Sequence, residues 1–353
     1  MPTTEALYYI SHQLNIYWGL LMFILGIIGS IWNISIFRHY AFRSSSCSTY
    51  MLIGSIASLI EILIGLSNRI IDQGFQLHWT AESIVWCKIQ SYISQCASLS
   101  TLSCLLLSVI DRFFSTCQQI KWRHLSSVYT ARQISSLVIL FWMCISIPTL
   151  IYKKPLQSVL NHRSCLDTSI IWSRILRYCF HICCYGIFPW LLMSVFAYFT
   201  LKNIRQKRTR RTGALPSFIS SRMARLDSQL TSMLFVQIIV CTISSIPFCV
   251  QIIYSNVTER LEKSAHRQAQ EHLFQQIVHL NFHLNFISAF YVHYYSSKIF
   301  RKVARQVLRN CFQKRENPSR QLTIVHHHDT DNHVPKRQAQ VFLIQSPCLV
   351  SPI

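Results

Sequence analysis

The stretch "SLSTLSCLLLSVIDRFFSTC", Ser98–Cys117, decides how this chain folds. It carries no charge until Asp111 and Arg112 stand side by side near its end. About 20 apolar residues in a helix cross a hydrocarbon core roughly 30 Å thick. Because neighbours on a helix do not face each other, we expect Arg112 to need a partner other than Asp111.

The composition of the whole chain agrees with a membrane location. Hydrophobic residues make up 51% of the 353 residues, and charged residues only 13%, against about 25% in soluble domains. Because lipid cannot satisfy an open backbone, spanning segments must be helical. We therefore predict an all-α membrane protein, a seven-transmembrane helix bundle. Glu61 is the one charged residue in its predicted spans, which are Ile16–Phe37, Cys47–Asn68, Ile89–Ile110, Ile134–Tyr152, Tyr178–Leu201, Leu230–Tyr254 and Leu273–Ser297.

The basic residues predict the orientation of the bundle. The net charge is +21, and an extracellular N-terminus puts 24 of the 34 Lys and Arg on the inner side, as the positive-inside rule requires. We predict a multi-pass plasma-membrane protein. The stretch "KNIRQKRTRR" (202–211) is interpreted as a topology anchor, with a site for anionic lipid as the alternative. No basic patch interleaved with aromatic residues occurs, so nucleic-acid binding is not predicted.

The chain after the seventh span has two parts. "SKIFRKVARQVLRNCF" repeats apolar residues near helical spacing between basic ones, which predicts an amphipathic helix on the membrane surface. Cys311 near its end is a candidate for palmitoylation, with a plain thiol as the alternative. The predicted parts of the chain are an extracellular N-terminus (1–15), a transmembrane domain (16–297), the surface helix (298–312) and a disordered cytoplasmic tail (313–353).

Several motifs occur in a recognisable order. Cys87 begins the third span, and the "DRF" triplet follows it, with Arg112 25 residues after Cys87. Asn33, Trp142, Pro189 and Pro247 lie in spans one, four, five and six. Over residues 16–312 this pattern resembles the rhodopsin-like (class A) G-protein-coupled receptors, as a divergent, invertebrate-type orphan member.

The resemblance implies a switch at the inner end of the bundle. The expected switch residues are Asp111, Arg112, Asp227, Pro247 and His293. Arg112 is expected to pair with Asp227 at rest and to be released when helix six swings outward, so that a heterotrimeric G protein can bind. At the outer end, Cys87 and Cys165 lie on the oxidising side, where a disulfide between them is allowed.

The sequence also departs from the family pattern. The family's acidic position in span two aligns with Ile60, beside Glu61. Ser245 in "SSIP" replaces a Trp, and His293 in "AFYVH" replaces a Tyr. A receptor that couples poorly, or does not signal, is therefore an alternative interpretation.

The resemblance also places a ligand pocket in the outer half of the bundle. Ser94 stands where amine receptors have an Asp, and we find no carboxylate near it, so a monoamine is not expected. His283 stands where opsins have the retinal-linking Lys. A polar, neutral-to-basic pocket favours a peptide, as in neuropeptide receptors, over an anionic small molecule. The candidate ligand-binding residues are Ser91, Ser94, Gln95, Arg177, His181, Gln251, His279 and His283, and Asn256 begins a glycosylation sequon.

A different class of protein has some support from the histidines. His279 and His283 lie four residues apart on one helical face, and His181 can oppose them. Such a set can hold zinc in a seven-span hydrolase, but the further motifs of those enzymes are absent. We predict no enzyme activity and no cofactor. A channel is also disfavoured, because no ring of pore charges occurs.

Overall fold

The computed structural model describes residues 2–77, 83–117, 119, 121–122, 125–157, 163–210, 218–259 and 261–316. Eight long helices account for most of these residues. A one-turn helix, Tyr40–Arg43, joins the first two. The long helices are α1 (Pro2–Phe37), α2 (Ser46–Gly74), α3 (Ile84–Thr116), α4 (Val128–Tyr152), α5 (170–210), α6 (Phe218–Val257), α7 (265–296) and α8 (Lys298–Glu316).

Four of these helices, α2, α4, α5 and α7, are interrupted. α4 breaks at Ser146, two residues before Pro148. α5 contains wide π-helical turns over Leu176–Ile187, which end two residues before Pro189. Proline lacks an N–H and collides with the carbonyl four residues earlier, so a wider turn relieves the clash. α2 has similar turns at Ile62–Leu66 and Ile70–Gly74. α7 is broken at Ser288, between Ala265–Ile287 and Ala289–Ser296.

The structure confirms the predicted helix bundle. In the described part of the chain, six helices, α1 to α6, are long and apolar enough to cross a membrane. α7 is more polar, because it faces the other helices with side chains such as Gln276 and Asn285, which are only 4% and 3% exposed. The bundle supplies their hydrogen bonds, as buried polar groups require.

Two features of the fold differ from the sequence prediction. α1 begins at Pro2 rather than near Ile16, so residues 2–15 continue the first helix. A hairpin also follows α4, with β1 (Lys153–Gln157) antiparallel to β2 (Arg163–Asp167). The otherwise all-α protein thus has one small sheet. The disulfide between Cys87 and Cys165 fastens β2 to the first turn of α3.

α8 packs against the bundle as the sequence pattern predicted. Phe300 is fully buried, and its ring contacts those of Phe37, Phe42 and His293. The helix runs to Glu316, about one turn beyond the predicted end. The side chain of Cys311 and residues 317–353 lie outside the described part, so lipidation and a disordered tail stay predictions.

Candidate functional sites at the two ends of the bundle

The two ends of the bundle carry different chemistry. The end that holds Arg112 is called here the Arg112 end. The end that holds the Cys87–Cys165 bridge is called the disulfide end.

At the Arg112 end, one guanidinium joins two helices. Arg112 Nη1 donates to Asp227 Oδ1 of α6 at 2.5 Å, and Nη2 donates to Asp111 Oδ2 at 2.7 Å. Asp111 Oδ1 also accepts from Ser126 Oγ at 2.8 Å. The contact with Asp227 agrees with the sequence prediction. The expectation that Asp111 and Arg112 would not face each other is wrong, because the long arginine side chain folds back toward its neighbour.

The two carboxylates lie in different surroundings. The side chain of Asp111 is 4% exposed, whereas that of Asp227 is 50% exposed. Breaking a buried pair costs several kcal/mol, whereas exposed pairs contribute about 0–1 kcal/mol. The Arg112–Asp227 contact, which joins α3 to α6, is therefore weaker than the Arg112–Asp111 contact.

The space beside Arg112 is nearly closed. A cleft between α3, α5 and α6 has a volume of only about 10 Å³, with Val109, Ala197 and Leu234 among its walls. That is about the minimum for one water molecule. An α-helix, about 10 Å wide with its side chains, does not fit into this cleft.

Of the other predicted switch residues, His293 lies close to this end and Pro247 does not. His293 is 3% exposed, and its Nδ1 lies 3.3 Å from Asn33 Oδ1 on α1. Gln229 Oε1 of α6 accepts from Ser297 Oγ at 2.6 Å and from the backbone N–H of Ile299 at 2.8 Å. α6 is thus also tied to the start of α8, which the sequence analysis did not predict. Pro247 lies inside the continuous helix α6.

At the disulfide end, several predicted ligand residues have unpaired buried atoms. Gln95 Nε2, Gln251 Oε1 and His283 Nδ1 are buried without a partner among the described residues. Gln95 Oε1 accepts from Thr149 Oγ1 at 2.8 Å. Most native buried polar groups are bonded, so these unpaired atoms are candidates for bonding another molecule. Ser91 lies on the same helix, about one turn nearer the disulfide end.

The three histidines of the zinc alternative are not brought together around one point. Phe248 lies between two of them, with ring centroids 6.2 Å from His181 and 5.1 Å from His279. His181 Nδ1 donates to the Leu176 carbonyl, and His279 Nδ1 lies 3.4 Å from Arg69 Nη1. In the part of the chain that can be described, no three His, Cys, Asp or Glu side chains are placed to hold a metal.

Arg177 of α5 bonds residues at and just beyond the end of α6. Its Nη1 donates to Asn256 Oδ1 at 2.8 Å and to Glu259 Oε2 at 2.9 Å. The amide Nδ2 of Asn256 is buried. Glycosylation there stays a prediction, and it requires addition of the sugar before α5 packs on α6.

The sequence analysis noted Glu61 but gave it no role, and the structure places it in the interior. It is 4% exposed, and its Oε2 accepts from Ser94 Oγ at 2.8 Å. The expectation that no carboxylate lies near Ser94 is therefore wrong. Ile60, 39% exposed, faces outward. The signal was present in the sequence, since Glu61, Gly65 and Arg69 recur every four residues in α2.

Arg69 was also missed, and it organises the contact of α1, α2 and α7. Its Nη2 donates to Gln276 Oε1 at 2.5 Å. The same amide oxygen accepts from Asn15 Nδ2 at 3.2 Å, and Gln276 Nε2 donates to Gln73 Oε1 at 3.0 Å. The network holds the guanidinium toward α7.

A cavity of about 400 Å³ opens at the disulfide end between α6 and α7. Gln251 is the one predicted ligand residue in its lining. Lys263 and Glu271 form an ion pair at its rim, and the hydrogen bond from Lys263 holds the pKa of Glu271 below its usual range. The other lining residues include Tyr8, Tyr254, Ser255, Glu259, His272 and Phe274.

These observations together define a seven-helix membrane receptor, with a bridged loop at one end and an arginine tied to helix six at the other. The family model of the seven-transmembrane receptors of the rhodopsin family matches residues 31–288. The chain belongs to that family, the rhodopsin-like G-protein-coupled receptors. A search of curated proteins found no significant match. Membership implies a multi-pass membrane protein with an extracellular ligand and a G-protein partner, in a family that is generally not enzymatic.

Proposed function

We propose that this receptor lies in the plasma membrane with its disulfide end outside, binds a peptide there, and activates heterotrimeric G proteins at its Arg112 end. The observation that carries the proposal is the contact of Arg112 Nη1 with Asp227 Oδ1, 2.5 Å long, between α3 and α6. Movement of α6 away from α3 must break this contact.

The orientation is supported by two independent features. Disulfides persist in oxidising surroundings, which favours an extracellular place for the Cys87–Cys165 bridge. The excess of Lys and Arg in the segments at the other end favours the cytoplasm there.

The coupling step follows from the closed cleft at the Arg112 end. Ligand binding between the outer halves of the helices favours an arrangement in which α6 lies farther from α3. The Arg112–Asp227 contact is then lost, and the cleft widens to admit a G-protein helix. The shift requires differential ligand affinity of a few kcal/mol between the two arrangements. Asp227 is half exposed, so the tie is weak enough for such a shift.

A peptide is supported by the character of the disulfide end. The cavity of about 400 Å³ opens outward and has polar walls, including Gln251, Gln268 and His272. Deeper in the bundle, amide and imidazole atoms are free to bond a backbone. Ligand pockets typically have volumes of about 300–1,000 Å³.

The test is basal nucleotide exchange on G proteins in membranes that carry equal surface levels of each variant. Asp227→Asn is expected to raise exchange, because it removes the tie to α6. Arg112→Ala is expected to silence it. Glu5→Gln, an exposed acid on α1, is the matched control and should behave as wild type. Normal exchange by Arg112→Ala would contradict the proposed switch.

A receptor that couples poorly is the second candidate, and one observation favours it. Ser245 is fully buried where the family has a large Trp, and Asn285 Nδ2 lies 3.4 Å from its hydroxyl. Ser244 Oγ donates to Asn285 Oδ1 at 2.7 Å, so α6 and α7 are joined directly. Background exchange in all variants, at normal surface levels, would favour this candidate.

A further inference from the structure

Glu61 is a buried carboxyl group, and few neighbouring groups can stabilise a charge on it. It is 4% exposed, and the hydroxyl of Ser94 is the donor seen bonded to it. No lysine or arginine among the described residues forms an ion pair with Glu61. An ionisable group at membrane depth is costly, and such groups mark ligand or ion sites.

Arg69 is the cationic side chain nearest to Glu61 on α2, and it bonds other residues. Arg69 lies eight residues from Glu61, which is about 12 Å along a helix. Its guanidinium bonds Gln276 and lies against His279, both on α7. At that separation Arg69 neither neutralises Glu61 nor excludes a second cation beside it, because the interaction of charges weakens with distance.

The space that Glu61 occupies depends on a glycine. A Cβ placed on Gly65 would lie only 2.7 Å from the Glu61 carboxyl carbon and 2.7 Å from Ser94 Oγ. Gly65 therefore lets the carboxylate fold along α2 to meet α3. The result is one carboxyl group held between two helices, at the level of the predicted ligand residue Ser94.

The side chains around Glu61 include polar atoms, but no cation among the described residues forms an ion pair with it. The Ser98 and Tyr185 hydroxyls lie 2.7 Å apart, and the Tyr185 hydroxyl donates to the Gln95 carbonyl at 3.4 Å. Gln95 Nε2 is unpaired among the described residues. These groups can orient a ligand, and a bound cation would stabilise the ionised form of Glu61.

We propose that Glu61, positioned by Ser94 and Gly65, is the anionic subsite that binds a cationic group of the extracellular ligand, a primary ammonium or a guanidinium. This deepens the proposed function and rests on it, because it names the chemistry of the ligand for the same site. It also reverses the sequence-based expectation that a cationic ligand has no partner here. A peptide meets the requirement through its N-terminal ammonium or through a Lys or Arg side chain.

The test uses full-length receptor purified in detergent micelles and three pools of synthetic hexapeptide amides. No peptide in any pool contains Lys, Arg or His, apart from the single Lys in the third pool. The first pool is N-acetylated and carries no cation. The second has a free N-terminal ammonium. The third is acetylated and carries one Lys. Peptides retained by the receptor are quantified by mass spectrometry and compared with empty micelles.

Wild type is expected to retain at least one cation-bearing pool about tenfold more than the neutral pool, equivalent to about 1.4 kcal/mol. Glu61→Gln keeps the size of the side chain and removes the charge, and it is expected to lose this preference. Glu61→Asp should keep the preference with weaker retention. Ile60→Val, at a position that faces outward, is the matched control.

Equal retention of neutral and cationic pools by wild type overturns the proposal, and so does a preference that survives in Glu61→Gln. Retention of no pool above the empty micelles also overturns it. If Glu61→Gln does not fold, Gly65→Ala serves instead, because the added methyl displaces the carboxylate while keeping its charge. Retention does not depend on G proteins, so a failure here leaves the basal-exchange test of the receptor unaffected.

Discussion

The two ends of the bundle differ in how their buried charged groups are paired. At the Arg112 end, both terminal nitrogens of the guanidinium are bonded to carboxylates, and the cleft beside it has closed. At the disulfide end, Glu61 has no ion-pair partner and Gln95, Gln251 and His283 each have an unpaired atom in the described structure. The contrast concerns charge, since Arg112 Nε and His293 Nε2 are also buried without a partner in the described structure. It fits the proposed function, in which the Arg112 end stays shut at rest and the disulfide end binds the ligand, because functional sites depart from optimal stability.

The largest expected effect comes from breaking the satisfied end at its buried carboxylate. Asp111→Asn is expected to destabilise the receptor by about 3–5 kcal/mol, because it leaves a buried cation without its buried partner. Asp227→Asn should cost about 0–1 kcal/mol, because its partner is half exposed. Thermal unfolding of the two variants in detergent checks the order. A larger loss of stability from Asp227→Asn than from Asp111→Asn would contradict the conclusion that Asp227 makes the weaker contact.

The same pair of variants should show the reverse order in signalling. Asp111 lies on the same helix as Arg112, whereas Asp227 holds α6. Basal exchange per folded receptor is therefore expected to rise more in Asp227→Asn. Stability and switching are thus separable within one three-residue cluster.

The second effect concerns the bridge that gives the disulfide end its name. Cys165→Ser is expected to cost about 2–5 kcal/mol and to lower surface expression, because the hairpin is no longer fastened to α3. Flow cytometry of an epitope-tagged receptor measures the surface expression. Cys144→Ser, at an exposed free cysteine of α4, is the matched control and should be expressed as wild type. Equal surface levels for Cys165→Ser would show that the bridge is dispensable.

The helix bundle and the contact of Arg112 with Asp227 were accessible from the sequence because both rest on recognisable patterns. Runs without charge predict helices, and "DRF" with Asp227 predicts the α3–α6 tie. The hairpin was not accessible, since its strands are five residues each and neither "KKPLQ" (153–157) nor "RSCLD" (163–167) has the apolar alternation that predicts a strand. Glu61 was misjudged for a related reason. Its neighbour Ile60 was aligned to the inward position, and an error of one residue on a helix rotates the face by about 100°.

The third effect is a gain of stability at the incomplete end. Gln251 is 6% exposed, and its Oε1 is unpaired in the described structure. Gln251→Met has a similar volume and removes the unsatisfied atom, so it should stabilise the unliganded receptor by about 1–3 kcal/mol. Thermal unfolding without ligand measures this change. Peptide retention should fall in the same variant, and destabilisation of the unliganded receptor would mean that Gln251 is already bonded.

The smallest effect tests a pair at the disulfide end that resembles the Arg112 cluster in composition but not in surroundings. Arg177 and Glu259 have side chains 36% and 63% exposed, so a double-mutant cycle of Arg177→Gln and Glu259→Gln should give a coupling of about 0–1 kcal/mol. A coupling several times larger would show that this surface is buried in the working receptor, as it would be beneath a further part of the chain or a second copy. A small coupling leaves Arg177 available to a ligand, because Glu259 releases it at little cost. In that case Glu259→Gln should increase the retention of peptides that carry a carboxylate, and the predicted ligand role of Arg177 would rest on its freedom to leave its partner.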